Sequence, residues 1–164
     1  MENLFITIVC VALILLGTVS YATSSLSAVD VVAGSLKETT EQAMEIGRTD
    51  ITATEATTVN GTEVEVTLSN SGNTALRNFS KWDVIIRYQN GTTQWIPYSA
   101  AVPGWSINGI FLNGSPEVFE PGIFNPAETL EINVSLSPAV ADNTTNLAVI
   151  STDNGVNTRI TFGW

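Results

Sequence analysis

The stretch LFITIVCVALILLGTVSYA, residues 4–22, is a nearly continuous apolar run in a chain that is otherwise acidic and rich in Thr and Asn. Between Leu4 and Val19 only Thr7, Gly17 and Thr18 interrupt it. These sixteen residues fall somewhat short of the ~20 that a helix needs to cross a bilayer. A segment that is apolar on every side must still be buried on every side, in lipid or among other apolar helices.

The start of the chain argues against a secretory signal peptide, which opens with a basic segment. Met1, Glu2 and Asn3 carry no basic side chain, and the first basic residue is Lys37. We therefore expect the apolar run to be a permanent part of the protein.

Small and apolar residues continue at intervals of three and four as far as Ile46, which is typical of one side of a long helix. The first proline is Pro97, so no residue forces a break, although Gly17, Gly34 and Gly47 weaken the helix. A helix over residues 3–48 would be about 70 Å long, too long for one small domain to cover. We predict that copies of this helix bury one another through Leu4, Ile8, Val11, Leu15, Val29, Val32, Leu36 and Ile46.

Beyond Arg48 the pattern changes to an alternation of apolar and polar residues, which is typical of strands with one buried face. In TEVEVTLSN, residues 62–70, the side chains of Val64, Val66 and Leu68 point to one face. Seven or so such segments predict an antiparallel β-sandwich of immunoglobulin-like type. The Gly- and Pro-rich segment 101–126 is predicted to be a long irregular loop. The expected fold class is α+β, with a helix over residues 1–48 and a sandwich domain over 49–164.

Composition argues against nucleic-acid binding, metal binding and catalysis. Sixteen acidic residues against six basic ones give a net charge of −10, which repels nucleic acid and anionic headgroups. There is no His, and Cys10 is the only cysteine, so internal disulfides and Cys/His zinc sites are excluded. No catalytic motif or phosphate-binding loop occurs in the sequence. We expect no catalytic residue, no metal and no cofactor.

Acidic pairs and tryptophans are weaker candidates for a site. The closest acidic pairs are interpreted as solvated surface groups: Glu117 with Glu120, Glu128 with Glu131, and Asp142 with Asp153. A calcium site built from Asp142 and Asp153 is the alternative. The four tryptophans are interpreted as core or interface residues, with a sugar-binding stripe as the alternative: Trp82, Trp95, Trp105 and Trp164.

Six Asn-X-Ser/Thr sequons follow the apolar run, and their density predicts a glycosylated, extracytoplasmic surface. The alternative is that a composition this rich in Asn, Ser and Thr produces sequons by chance. The candidate acceptors are Asn60, Asn78, Asn90, Asn113, Asn133 and Asn143.

The order of parts, a permanent apolar helix followed by a Thr- and Asn-rich sandwich, resembles archaellins and other type IV pilin-like filament subunits. VNGTEVEVTLSNSGNTAL, residues 59–76, and FSKWDVIIRYQNGTTQWIPY, residues 79–98, are similar to the sandwich domains of archaellins and of the related minor archaellum proteins. The sequence has Phe5 where bacterial type IV pilins carry a Glu at the fifth position. Precursors in this superfamily begin with a short basic leader; either Met1 is the first mature residue or the numbering omits that leader.

The resemblance implies a structural subunit, not an enzyme, that polymerises through its helix into an extracellular filament for motility or adhesion. Its partners would be copies of itself, the membrane before assembly, and the archaellum or pilus assembly machinery. The main alternative is a membrane-anchored stator or envelope-binding protein that uses its sandwich as a binding domain.

Overall fold

The computed structural model describes residues 2–164, so Met1, for which the resemblance leaves two alternatives, lies outside the described residues. A single α-helix, α1, runs from Glu2 to Arg48 without interruption at any of its three glycines. Helix-favouring residues and the absence of proline explain this continuity, since isolated glycines cost only about 1 kcal/mol each in a helix interior. The long N-terminal helix predicted from the sequence is confirmed.

Nine strands follow the helix and form two antiparallel sheets, which confirms the predicted α+β sandwich. One sheet has five strands in the order β1-β2-β7-β5-β6, and the other has four in the order β4-β3-β8-β9. The strands are β1 Ile51–Thr58, β2 Glu63–Asn70, β3 Asp83–Arg87, β4 Thr93–Ile96, β5 Gly104–Leu112, β6 Ser115–Pro116, β7 Thr129–Ser135, β8 Thr145–Ser151 and β9 Asn157–Gly163.

The core lies between the two sheets and is built from alternate residues of their strands, as the period of two requires. Val66 of β2 is paired with Ile132 of β7, and both side chains are fully buried. On the facing sheet, Ile86 of β3 and Ala148 of β8 are paired and equally buried. The same alternation leaves the other face of each sheet toward solvent.

The prediction of a long irregular loop over residues 101–126 is wrong, because this segment contains β5 and β6. β5 has nine residues and is paired with β7 inside the five-stranded sheet. Its register shifts between Ile107 and Gly109, so the alternation of apolar and polar residues breaks in mid-strand. This bulge hides the period of two on which strand prediction depends.

The chain divides into two compact units, and the second unit, Met44–Trp164, includes the last helical residues. Within that unit the turn after β2 closes on the end of α1. The backbone N–H of Asn73 donates to the carbonyl of Arg48 at 2.8 Å, and that of Gly72 donates to the carbonyl of Asp50 at 3.0 Å. These bonds satisfy a carbonyl at the helix C-terminus, where intrahelical partners run out.

Candidate assembly surfaces

The predicted packing positions of α1 are all exposed on the single chain. Their exposed fractions lie between 47% and 69% for Leu4, Ile8, Val11, Leu15, Val29, Val32, Leu36 and Ile46. An apolar surface this extensive is far larger than the patches that soluble monomers usually leave open. The packing role of these eight residues remains a prediction, since they meet no partner within one chain.

The eight positions follow a seven-residue repeat, which matters for how α1 can pack. A straight α-helix drifts by ~20° per heptad relative to such a repeat. From Leu4 to Ile46 there are six heptads, so the seam turns by about 120° around the axis. Helices that packed against all eight positions would therefore have to supercoil with α1 or contact it from more than one side.

α1 also meets the length and composition required to cross a membrane. Its most apolar window has a mean hydropathy of 2.5. No charged residue occurs from Asn3 to Val29, which corresponds to about 40 Å of helix, more than the hydrocarbon thickness of a bilayer. The apolar part is thus longer than the sequence run alone suggests, because Ser and Thr after Val19 are compatible with lipid when their hydroxyls are bonded.

Six hydroxyl groups along α1 donate to the helix's own backbone, those of Thr7, Thr18, Thr23, Ser27, Thr39 and Thr40. The hydroxyl of Thr7 donates to the carbonyl of Asn3 at 2.8 Å, and that of Thr18 donates to the carbonyl of Leu15 at 2.9 Å. The hydroxyls of Thr23 and Ser27 likewise each donate to a backbone carbonyl of the preceding turn. Such bonds remove most of the cost of burying a hydroxyl in an apolar environment.

All six predicted glycan acceptors lie on the surface of the sandwich unit. Five of them occupy loops, turns or the cap of the short 3-10 helix Phe79–Lys81, and Asn133 lies on the outer face of β7. Asn78, Asn113 and Asn143 adopt positive φ angles, which fits Asn in a tight turn. The acceptors are thus accessible, and their modification remains a prediction.

The acidic pairs do not converge on a metal site. The interpretation of Glu128 as a solvated surface group is wrong, because its side chain is buried and its carboxylate accepts hydrogen bonds from Asn125. Asp142 and Asp153 lie beyond opposite ends of β8, a strand of seven residues whose two ends are about 20 Å apart. The structure therefore separates the two carboxylates of the alternative calcium site. Among residues 2–164, no group of three His, Cys, Asp or Glu side chains is placed to hold a metal ion.

The tryptophans do not form a common stripe. Trp82 and Trp105 are buried in the core, which confirms the interpretation for these two. Trp95 is 57% exposed on the outer face of β4, where its indole N–H donates to a carboxylate oxygen of Asp83 at 2.8 Å. Trp164 ends the chain and is also partly exposed.

The outer faces of the two sheets differ in chemistry. The five-stranded sheet presents acidic and hydroxyl side chains, including Glu63 and Glu65 of β2. On the four-stranded sheet a row of cross-strand neighbours contains mainly apolar residues and ends in a guanidinium: Trp95, Ile85, Val149 and Arg159. The next row is Thr93, Arg87, Leu147 and Thr161. We call this outer surface of the four-stranded sheet the arginine face.

A loop after β6 exposes two adjacent apolar side chains. Val118 is 78% exposed and Phe119 is 94% exposed, between Glu117 and Glu120. A carboxylate oxygen of Glu117 accepts hydrogen bonds from the backbone N–H groups of Phe119, at 2.7 Å, and Glu120, at 3.2 Å. These bonds lower the pKa of Glu117 below its ordinary value. We call residues 117–120 the apolar loop; sequence analysis missed it because no periodicity marks an exposed Val-Phe pair.

Comparison with known proteins identifies the fold through structure, since no protein-family profile and no curated protein matches the sequence. The archaeal flagellum of Methanospirillum hungatei strain JF1 is similar to 99% of this chain and 93% of its own, with a TM-score of 0.67 and 12% identity. The archaellum periplasmic stator protein FlaG from Sulfolobus acidocaldarius is similar to 70% of this chain and 99% of its own, with a TM-score of 0.57 and 23% identity. The archaellum periplasmic stator protein complex of FlaF and FlaG from the same organism is similar over 68% of this chain and 87% of its own chain. Its TM-score is 0.56 and its sequence identity is 22%.

The chain therefore has an archaellin-like fold, as the resemblance in its sequence implied. All three neighbours are archaellum or archaeal flagellum components by name, and the likeness to them is one of fold. The alignment with the flagellum must include α1, because it covers nearly all of the chain. The stator alignments have the extent of the sandwich alone.

Proposed function

We propose that the chain is a structural subunit that polymerises through α1 into an extracellular helical filament used for motility or adhesion. The observation that carries this proposal is the extent of exposed apolar surface on a continuous 47-residue helix. One sandwich cannot cover it, whereas copies of the same helix can. The full-length similarity to an archaeal flagellum supports the same arrangement of parts.

In this role α1 has two environments. Before assembly the uncharged segment from Asn3 to Val29 holds the subunit in the membrane, where assembly machinery receives it. After assembly the same segment packs among neighbouring helices, and the acidic sandwich faces outward. The function is mechanical, so it requires no cofactor and no bound nucleic acid.

The second candidate is an envelope-anchored stator, in which α1 stays in the membrane and the sandwich binds another envelope component. It is favoured by the match to FlaG, which extends over 99% of that chain at 23% identity. The two functions differ in abundance and location. A filament subunit occurs in many copies outside the cell, whereas a stator remains with the envelope.

Electron microscopy of sheared extracellular material decides between them. Cells producing the full chain with an affinity tag should release filaments that contain it as the major protein. Retention of all tagged protein in the membrane fraction, with no filaments, would overturn the filament proposal and support the stator.

A further inference from the structure

We propose that the sandwiches of neighbouring subunits dock head to tail, with the apolar loop of one copy packed on the arginine face of the next. This inference rests on the proposed filament, because it concerns how the outer domains contact one another after the helices have assembled. It names two different surfaces of the same chain that are complementary in charge and in polarity.

The arginine face is unusual for this protein because it carries two guanidinium groups and a single carboxylate, that of Asp83, which already accepts the indole N–H of Trp95. Arg87 and Arg159 are two of only six basic residues in a chain of net charge −10. Among residues 2–164, neither guanidinium lies within ion-pairing distance of a carboxylate. Both lie beside outward apolar residues, since Arg87 is the cross-strand neighbour of Leu147 and Arg159 that of Val149. A partner that offers an apolar side chain with flanking carboxylates would match this surface.

The apolar loop has those properties. Phe119 projects into solvent between two carboxylates, and the bonds to Glu117 hold its backbone in place. The other end of the loop is also fixed, because the side-chain amide of Asn125 donates to the carboxylate of Glu120 at 3.2 Å. A loop held in this way loses little conformational entropy on docking.

The dimensions of the two surfaces agree. A shallow depression of about 300 Å³ lies beside Arg87, Leu147 and Thr161. The ring of Phe119 from another copy can bind in it. Arg87 and Arg159 are two strands and two residues apart, which places their Cα atoms ~12 Å from each other across the sheet. Their side chains can reach the carboxylates on either side of one inserted loop. A guanidinium over the ring face would add a cation–π contact.

The strands of the arginine face carry no sequon. Within the described residues, no acceptor asparagine lies on β3, β4, β8 or β9, although the other sheet carries Asn133 on its outer surface. Asn90, in the β3–β4 turn, and Asn143, two residues before β8, lie near the depression at one end of this sheet, so a glycan at either position should reduce docking there. The loop and the face are distinct patches, and a contact between distinct patches does not close as a two-fold dimer; it forms a ring or, where the rotation does not close, an open helical polymer.

Disulfide trapping in the full chain tests the contact. In a Cys10→Ser background, one tagged copy carries Phe119→Cys and a differently tagged copy carries Leu147→Cys. The two are mixed and assembled, then oxidised. We expect at least tenfold more mixed disulfide from this pair than from Phe119→Cys with Thr67→Cys, since Thr67 lies on the outer face of the five-stranded sheet. Equal yields from the two pairs, or a product dominated by copies joined through position 119 alone, would overturn the proposal.

Charge exchange provides the second readout. Arg87→Glu should reduce the trapped product at least fivefold, and adding Glu120→Arg to the Phe119→Cys copy should restore it. A lack of restoration would contradict direct pairing. If Arg87→Glu instead leaves trapping unchanged but abolishes binding to vesicles that contain anionic phospholipid, the face docks lipid and the proposal fails.

Microscopy of the same samples separates this inference from the proposed function. Filaments without the mixed disulfide would overturn the docking contact and leave the filament function standing. Specific mixed disulfides without filaments would support the contact and contradict the filament function.

Discussion

The side-chain amide of Asn154 donates a hydrogen bond of 2.8 Å to the hydroxyl of Thr49, which joins the β8–β9 turn to the first residue after α1. Thr49 is buried, and its hydroxyl also donates to the carbonyl of Glu45 in the last helical turn at 2.8 Å. The end of the helix is thereby part of the hydrogen-bond network of the sandwich unit.

This network predicts how truncated proteins behave. Fragments beginning at Met44 and at Thr49 should both be soluble, β-rich and monomeric at micromolar concentration, and neither should polymerise without the apolar part of α1. The Met44 fragment should be more stable by roughly 1–2 kcal/mol, because it keeps the helical carbonyl partners of Thr49. Urea unfolding followed by circular dichroism measures the difference. An unfolded Thr49 fragment would show that α1 belongs to the sandwich core, and filaments from either fragment would show that sandwiches drive assembly.

Gly72 should be intolerant of any side chain. A Cβ at this position would lie 2.4 Å from the backbone nitrogen of Asp50 and 2.6 Å from the carbonyl oxygen of Arg48. We expect Gly72→Ala to lower the free energy of unfolding by about 1–3 kcal/mol, the usual cost of overpacking. Gly122→Ala is the matched control, since a Cβ there meets no atom within 4 Å. Equal thermal stability of the two variants would contradict a close approach at the end of α1.

A charge in the apolar part of α1 should abolish assembly without unfolding the sandwich. Val11→Asp or Leu15→Asp places an unpaired carboxylate among packed helices, at a cost of several kcal/mol per subunit. The measurement is filament yield by electron microscopy, with circular dichroism as a check on folding. Gln42→Asp is the control, because this position lies in the charged part of the helix. Normal filaments from the Val11 or Leu15 variant would exclude these positions from a helical core.

Glycosylation should appear as added mass. The intact mass of the native protein should exceed the 17.5 kDa of the polypeptide, with modification at one or more of Asn60, Asn78, Asn90, Asn113, Asn133 and Asn143. Exposure of all six supports this expectation. Peptide mapping assigns the sites, and Asn→Gln at a modified position should remove one increment of mass. A native mass equal to that of the bare chain would show that the sequons arise from composition alone.

The order of the apolar loop should depend on pH through Glu117. Its pKa is lowered in the folded protein because its carboxylate accepts the N–H groups of Phe119 and Glu120. A lowered pKa means that the contribution is complete above the ordinary glutamate value and is lost as pH falls through the folded value. The amide resonances of Phe119 and Glu120 should therefore shift together in acid. Glu120→Gln removes the neighbouring carboxylate and should leave the acid shift of the Phe119 amide in place. Adding Glu117→Gln to this variant should abolish the shift, and its persistence would contradict the assignment.

The sequence predicted those parts of the fold whose physical signal is periodic. The spacing of three and four over residues 3–48 and the alternation in β2 and β7 follow directly from helix and strand geometry. β5 was not predicted as a strand, because its bulge at Gly109 breaks the alternation of apolar and polar residues. Its Gly and Asn residues also suggested a loop. The contact of Asn154 with Thr49 joins residues 105 positions apart, and no local pattern encodes it.

Some of the candidate surfaces could be predicted from the sequence, and others depend on the tertiary structure. The helix positions and sequons are visible in the sequence because each is defined by spacing or by a tripeptide. The arginine face is not, since it depends on the register that places Arg87 beside Leu147 and Arg159 beside Val149. Tertiary pairing, and not local composition, brings the two cations to one surface.

The hydroxyls of Thr7, Thr18, Thr23 and Ser27 have a consequence for a helix that changes its surroundings. Each group takes its hydrogen-bond partner from the same helix and keeps it when the helix moves. If the proposed subunit leaves the membrane for a helix bundle, acyl chains are exchanged for apolar side chains while these four hydrogen bonds are kept. For these four groups the transfer therefore carries no cost of breaking a hydrogen bond.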